Sequence, residues 1–204
     1  LGIQVAALIA TIFVLPSGVI RAFGGWLSDR FGAHTVTWTC LWASLIALVE
    51  QGRPIVGVIS APALGRRWWA AAGAGAWLRT RDDEHPGRIG VSNVTALSDA
   101  YLSTTHLGTW DEHHSRESYL RLADACWENR AFGDFWQHCL VAEGAIDLAA
   151  EPVVNPWDVA AVRILVEEAG GTFTDLDGTA RHDGGNALSS NGHLHAEALA
   201  VLGR

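Results

Sequence analysis

The chain has 204 residues, enough for one large domain or two small ones around a buried core. Its formal net charge of -8 argues against a nucleic-acid groove, which needs clustered Lys and Arg to displace counterions. Cys40, Cys126 and Cys139 are odd in number and far apart, so they read as reduced core thiols rather than a zinc knuckle or redox motif.

Leu1 to Ile20 carries no charged residue, about the length a helix needs to cross a hydrocarbon core. Arg21 interrupts it, Ser28-Asp29-Arg30 forms a short polar loop, and a second uncharged stretch runs from Phe31 to Val49. The outline is that of a transmembrane hairpin; the soluble alternative is a buried helix kinked at Pro16 and Gly18.

After Trp42 the texture changes. Ala43 to Val49 predicts a strand, Gln51-Gly52-Arg53-Pro54 a turn, and Ile55 to Ser60 a second strand rich in β-branched residues. Trp68 to Ala72 predicts a third strand, followed by a hairpin corner at Gly73-Ala74-Gly75-Ala76-Trp77. That glycine pair lacks the third glycine and the following helix of a dinucleotide loop. Arg79 to Arg88, charged and containing Pro86 and Gly87, reads as a linker.

Beyond it helices and strands alternate. Ala96 to Ala100 reads as helix or turn and Tyr101 to Thr105 as strand. Glu117 to Glu128 reads as an amphipathic helix with Leu120, Ala123 and Trp127 on one face. Phe135 to Glu143 is a second helix, Ala145 to Ala150 a strand, and Val159 to Ala169 a third helix closed by Gly170-Gly171. Thr172 to Asp175, Ala187 to Ser190 and His195 to Leu202 finish as strand, strand and helix. The alternation indicates a layered α/β (α+β) domain. The expected division is residues 1–41 as a hydrophobic helical segment, 42–92 as a sheet region, and 93–204 as a C-terminal α/β subdomain.

The chemistry concentrates in Glu151-Pro152-Val153-Val154-Asn155-Pro156-Trp157-Asp158. Pro156 is welcome only at a helix start, which places Asp158 in the first turn, where a carboxylate caps exposed N–H groups. The same geometry serves catalysis, because a helix N-terminus attracts phosphate and a carboxylate there can ligate a hard cation. Glu151, across a Pro-containing turn, aims a second carboxylate at the polar groups of the same substrate.

Glu151-x₆-Asp158, the run Trp157-Asp158-Val159-Ala160-Ala161, Glu168-Ala169-Gly170-Gly171 and Asp175-x-x-Gly178 together resemble the C-terminal signature of the inositol monophosphatase family. Gly133-Asp134-Phe135, Cys139 to Asp147 and Ser189-Ser190-Asn191-Gly192 continue it. Gly133-Asp134-Phe135 and Ala61-Pro62-Ala63-Leu64-Gly65-Arg66-Arg67-Trp68-Trp69 are most similar to its histidinol-phosphate phosphatase branch, and the likeness runs from Trp42 to Arg204. It implies an αβαβα sandwich, a cytoplasmic Mg²⁺-dependent hydrolase of small phosphate monoesters, a place in histidine biosynthesis, and a homodimer. It further implies Asp158 as metal ligand and Glu151 and Asp134 as substrate contacts, Asp134 meeting an ammonium group. For Asp134 the plain alternative is helix capping.

The likeness also implies an upstream Glu and an Asp-Pro-x-Asp-Gly-Thr loop that hold most of the metal. No carboxylate lies between Asp29 and Glu50, so neither motif is present, no catalytic residue is assigned, and turnover by this chain is expected to be negligible. Residues 1–40 instead resemble a major facilitator transporter of the nitrate/nitrite branch, through Leu15 to Arg21 and Gly24 to Gly32, with Ala33-His34 in place of the paired basic residues. Membrane contact through residues 1–40 is the corresponding expectation, and the competing reading of the whole is a transporter-derived fragment or a non-catalytic fusion remnant. Asp111-Glu112-His113-His114, read as loop, His193-x-His195 and Asp175-Leu176-Asp177-Gly178 read as solvated, capping or turn residues rather than metal sites.

Overall fold

The computed structural model describes residues 45–203. The transporter-like reading of residues 1–41, with its membrane contact, lies outside them. Among the described residues no helix is long and apolar enough to cross a membrane.

The first sheet is an antiparallel meander of β1 (Leu45–Glu50), β2 (Arg53–Ala61), β3 (Arg66–Ala71), β4 (Gly75–Thr80) and β5 (Gly87–Ile89), paired in chain order. Its first hairpin closes through Gln51 and Gly52, both at positive φ (49° and 76°). That is the backbone a two-residue turn needs to match the twist of the strands. Arg79 to Arg88 is therefore not a linker: its two ends belong to β4 and β5, and the charged residues between them form the hairpin tip. A charged, Pro-containing run signals exposure, and a hairpin tip is as exposed as a linker.

The second sheet runs in the spatial order β7 (Glu128–Arg130), β6 (Tyr101–Ser103), β8 (Leu148–Glu151), β10 (Ala187–Ser190), β9 (Thr172–Thr174). β6 is parallel to β7 and β8, whereas β10 is antiparallel to both neighbours. Among the described residues the α-helices are α1 (Leu107–His113), α2 (Arg116–Ala125), α3 (Asp134–Ala142), α4 (Pro156–Glu168) and α5 (His195–Leu202).

Helices α3 and α4 pack on each other between the two sheets, and α5 packs against α2 and β10. Two cores result. One joins Ile59 and Trp68 of the first sheet to Val141, Val162, Leu165 and Phe173. The other joins Leu102, Leu148 and Leu188 to Trp110, Leu122 and Leu202. β8 serves both, because alternate side chains point to opposite faces: Ala149 enters the first core, Leu148 and Ala150 the second. The sheet, helix, sheet, helix order reproduces the expected layered α/β architecture.

Helix α4 lies close on β2 because Gly57 has no side chain. A Cβ there would stand 2.6 Å from the Ala161 carbonyl oxygen and 2.6 Å from Ile164 Cγ2. Gly57→Ala is expected to cost about 1–3 kcal/mol by overpacking, read as a lower denaturant midpoint with unchanged m-value. The same helix is tied to the sheet at its far end. Glu168 accepts hydrogen bonds from the backbone N–H of Gly73 and of Gly75, each at 2.8 Å, so this glycine turn holds a carboxylate of its own chain.

Helix α2 departs from the expected pattern. Its buried face is Ser118, Tyr119 and Leu122, while Leu120 and Trp127 are 40% and 69% exposed. Ser115 caps the start, accepting from Ser118 N–H at 3.2 Å, and the helix ends at Ala125, so Trp127 lies outside it. Tyr119 wins the inward position by stacking on Trp110, ring centroids 4.9 Å apart. His113 ends α1 and His114 caps it, both exposed, so this pair sits on a helix rather than the expected loop.

Candidate active site

The parallel strands β6, β7 and β8 share one carboxyl-terminal edge, the usual ligand side of such a sheet. Thr104-Thr105 follows β6, Phe132-Gly133-Asp134 follows β7, and Glu151 ends β8.

Glu151 is only 5% exposed. Its Oε1 accepts a short hydrogen bond from Gln137 Nε2. Gln137 is oriented in turn: its Oε1 accepts from Ser103 Oγ at 2.7 Å, and Ser103 Oγ accepts from Phe132 N–H at 3.2 Å. Burial pushes the Glu151 carboxyl up to about 7; the negative charges of Asp134 and Asp158 push the same way, while the nearby Thr105 hydroxyl and the hydrogen bond from Gln137 oppose them. Asp134 and Asp158, singled out with Glu151 in the sequence, thus both act electrostatically on it.

Asp134 is the first residue of α3 and has φ +48°, directly after Gly133 at +76°. A non-glycine residue held there stores of order 1–3 kcal/mol of strain, although Asp tolerates the region better than most. The α3 N-cap is Gly133 and there is no side-chain cap hydrogen bond, so Asp134 is not the capping residue. Its carboxylate is exposed at the mouth of the site.

Asp158 does cap. Its Oδ2 accepts from the N–H and from Nδ2 of Asn155, both at 3.2 Å, in a reciprocal box behind Pro156. Oδ1 makes no hydrogen bond among the described residues. The beside-lying Trp157 is 59% exposed.

Sequence reasoning missed Gln137, Ser103 and Thr105. Gln137 was detectable as a polar residue in the otherwise apolar stretch of α3. Ser103 and Thr105 carry no comparable signal, because only the fold brings Ser103 to Gln137 and Thr105 near Glu151. The histidine pair near the C-terminus is split: His193 is exposed, whereas His195 is buried, its Nε2 2.9 Å from Thr174 Oγ1 and its Nδ1 2.9 Å from Ser190 Oγ. Asp175 closes a turn, its Oδ1 accepting from the N–H of Asp177 and Thr179 at 3.1 and 2.7 Å. Cys126 and Cys139 are free thiols, and burial pushes the ionisation of both upward, away from the thiolate.

The sequence profile of the inositol monophosphatase family matches residues 36–202. The chain belongs to that family. Over 162 residues it is 54% identical to the histidinol-phosphatase of Mycobacterium tuberculosis, covering 79% of this chain and 62% of the relative. The histidinol-phosphatase of Streptomyces coelicolor is 49% identical over 167 residues, with the same coverage of each chain. Among solved structures, an inositol monophosphatase from Zymomonas mobilis superposes with a TM-score of 0.71 at 26% identity, covering 78% of this chain and 62% of that one. The Thermotoga maritima IMPase gives 0.66 at 31% identity, covering 78% and 59%. The chain thus spans less than two thirds of the length of these family members.

The family resemblance implies Mg²⁺, which takes near-octahedral oxygen ligation. Among the described residues no group of three or more His, Cys, Asp or Glu is arranged to hold a metal. One oxygen of Asp158 is committed to Asn155, and Glu151 is buried against Gln137. These residues do not by themselves compose a Mg²⁺ site.

Proposed function

We propose that residues 45–203 form the substrate-facing portion of a phosphate monoester hydrolase whose substrate carries a cationic tail, of the histidinol-phosphate type. The observation that carries this reading is the convergence of Glu151, Asp134 and Asp158, with Glu151 buried and oriented by Gln137. A buried carboxyl group under the negative charge of two aspartates makes a site that an ammonium group relieves. The 54% identity to a protein named histidinol-phosphatase supports the same tail.

In this reading Glu151 and Asp134 hold the tail, and the Asp158 oxygen not bonded to Asn155 would offer one ligand to the Mg²⁺ that the family resemblance implies. The sequence has no carboxylate between Asp29 and Glu50 to complete such a site, so phosphate release by this chain alone is expected to be negligible.

Two measurements on the purified chain test this. Calorimetric titration with L-histidinol should show saturable binding that tightens as pH rises through about 7, where Glu151 ionises. Glu151→Gln and Asp134→Asn should each weaken it about tenfold or more, the loss of one charge-assisted hydrogen bond. Binding of myo-inositol but not histidinol would overturn the substrate class. Mg²⁺-dependent release of phosphate from histidinol phosphate, abolished by Asp158→Asn, would overturn the claim of inactivity.

A further inference from the structure

A cavity of about 230 Å³ opens between α1, α2 and the end of β7. Its lining divides by chemistry. Leu107, Tyr119, Leu120 and Ala123 make an apolar floor, and Leu120 is 40% exposed there although it belongs to a helix whose other leucine is fully buried. At the base, the Thr104 hydroxyl has its hydrogen bonds satisfied, donating to the Ala150 carbonyl at 2.8 Å and accepting from Trp110 Nε1 at 2.9 Å.

The rim is different. Asp124 makes no hydrogen bond or ion pair among the described residues. Arg130 uses Nη1 alone, toward Glu128 Oε1 at 3.1 Å and the Asn129 carbonyl at 3.2 Å, which leaves Nη2 and Nε to donate. The Asn129 side-chain amide is uncommitted as well. One anion, one fork-shaped cation and one amide thus stand with unused capacity over an apolar floor. The volume lies below the roughly 300–1,000 Å³ of pockets for drug-sized ligands, so only a small molecule fits.

We propose that this pocket binds a small zwitterion, a free α-amino acid with an apolar side chain. The carboxylate takes the free edge of Arg130, which matches its planar geometry. The ammonium group takes Asp124, and the side chain covers Leu120 and Ala123. A free phosphate or sugar phosphate is disfavoured, because Asp124 faces the same mouth. The pocket adjoins the proposed tail-binding site: Thr104 precedes Thr105, which bears on Glu151, and Arg130 and Ala131 lead into Gly133-Asp134. Thr104 N–H donates to the Arg130 carbonyl at 3.4 Å, which ties the two segments.

The test is amide chemical-shift mapping on the chain titrated with L-leucine, against isopentylamine and 4-methylpentanoate, which each lack one charge. The expected result is saturable shifts at Tyr119, Ala123, Asn129 and Arg130 with L-leucine, and binding about tenfold weaker for each single-charge analogue. Asp124→Asn and Arg130→Gln, both surface changes that leave the cores intact, should each weaken L-leucine about tenfold. Glu151→Gln should leave it unchanged, which separates this site from the tail-binding one. No saturable shift with L-leucine, equal binding of the analogues, or indifference to both rim substitutions overturns the proposal.

Discussion

Trp68→Ala should be the most damaging single truncation in the first core, lowering stability by about 3–5 kcal/mol. Trp68 is fully buried on β3 and meets Phe135 of α3 edge-on, ring centroids 6.4 Å apart. Its truncation leaves a cavity between the first sheet and the helix layer, where close-packed neighbours relax only in part. It also removes a hydrogen bond, because Trp68 Nε1 donates to Glu143 Oε1 at 2.6 Å. Arg66 Nη1 reaches both oxygens of the same carboxylate, at 3.0 and 2.9 Å, so Glu143 keeps a partner in the variant.

Trp68→Phe separates the two contributions. It keeps most of the ring volume and loses the indole donor, and it should cost about 1–2 kcal/mol. Urea titrations of the two variants and the wild type make the comparison. Equal costs for Phe and Ala would mean that the hydrogen bond, not the packing, is what Trp68 supplies.

Glu151→Gln should stabilise the protein above pH 7, by about 3 kcal/mol at most. The folded state pushes the Glu151 carboxyl up to about 7 from an ordinary value near 4.5. Between those values the unfolded chain has released a proton that the native chain still holds. Stability therefore falls as pH rises through that window, and above pH 7 the full cost is present. Glutamine carries no charge, and its carbonyl still accepts from Gln137 Nε2. For a folded unit of this size the gain corresponds to roughly 5–10 °C in thermal midpoint at pH 8 and little at pH 4.

The difference between variant and wild type is the informative quantity, because the buried histidines act in the opposite sense. Burial lowers His138 and His195 to about 4, so their contribution is present above pH 6.5 and is lost as pH falls toward 4. Both occur equally in the two proteins and cancel. A midpoint shift that is the same at pH 4 and pH 8 would rule out the ionisation of Glu151 as its cause. The same substitution that stabilises the fold should weaken binding of a cationic tail about tenfold or more, the pattern of a site that keeps an unfavourable charge for use.

Much of the fold was legible because its signals are local. Ala187 to Ser190 and His195 to Leu202 lie where the apolar runs placed them, and Pro156 at the start of α4 follows from what proline cannot do inside a helix. Errors fell where a local pattern has two physical explanations. Arg79 to Arg88 is exposed whether it links domains or tips a hairpin, and only pairing across β4 and β5 decides. Leu120 and Trp127 look like an apolar face until Trp110, from another helix, claims Tyr119 instead.

Asp134, Glu151 and Asp158 could be selected from the sequence by residue type, turn chemistry and family likeness. What each does there depended on groups far along the chain. Burial, Gln137 and the fields of the two aspartates together set the ionisation of Glu151, and Ser103, supplied by β6, aims Gln137. Capping was an equal possibility for Asp134 and Asp158 on paper; in space Asp158 caps and Asp134 does not. Backbone propensity and turn chemistry act between near neighbours and are written in the sequence. Electrostatic environment and side-chain orientation are sums over residues that meet only when the chain folds.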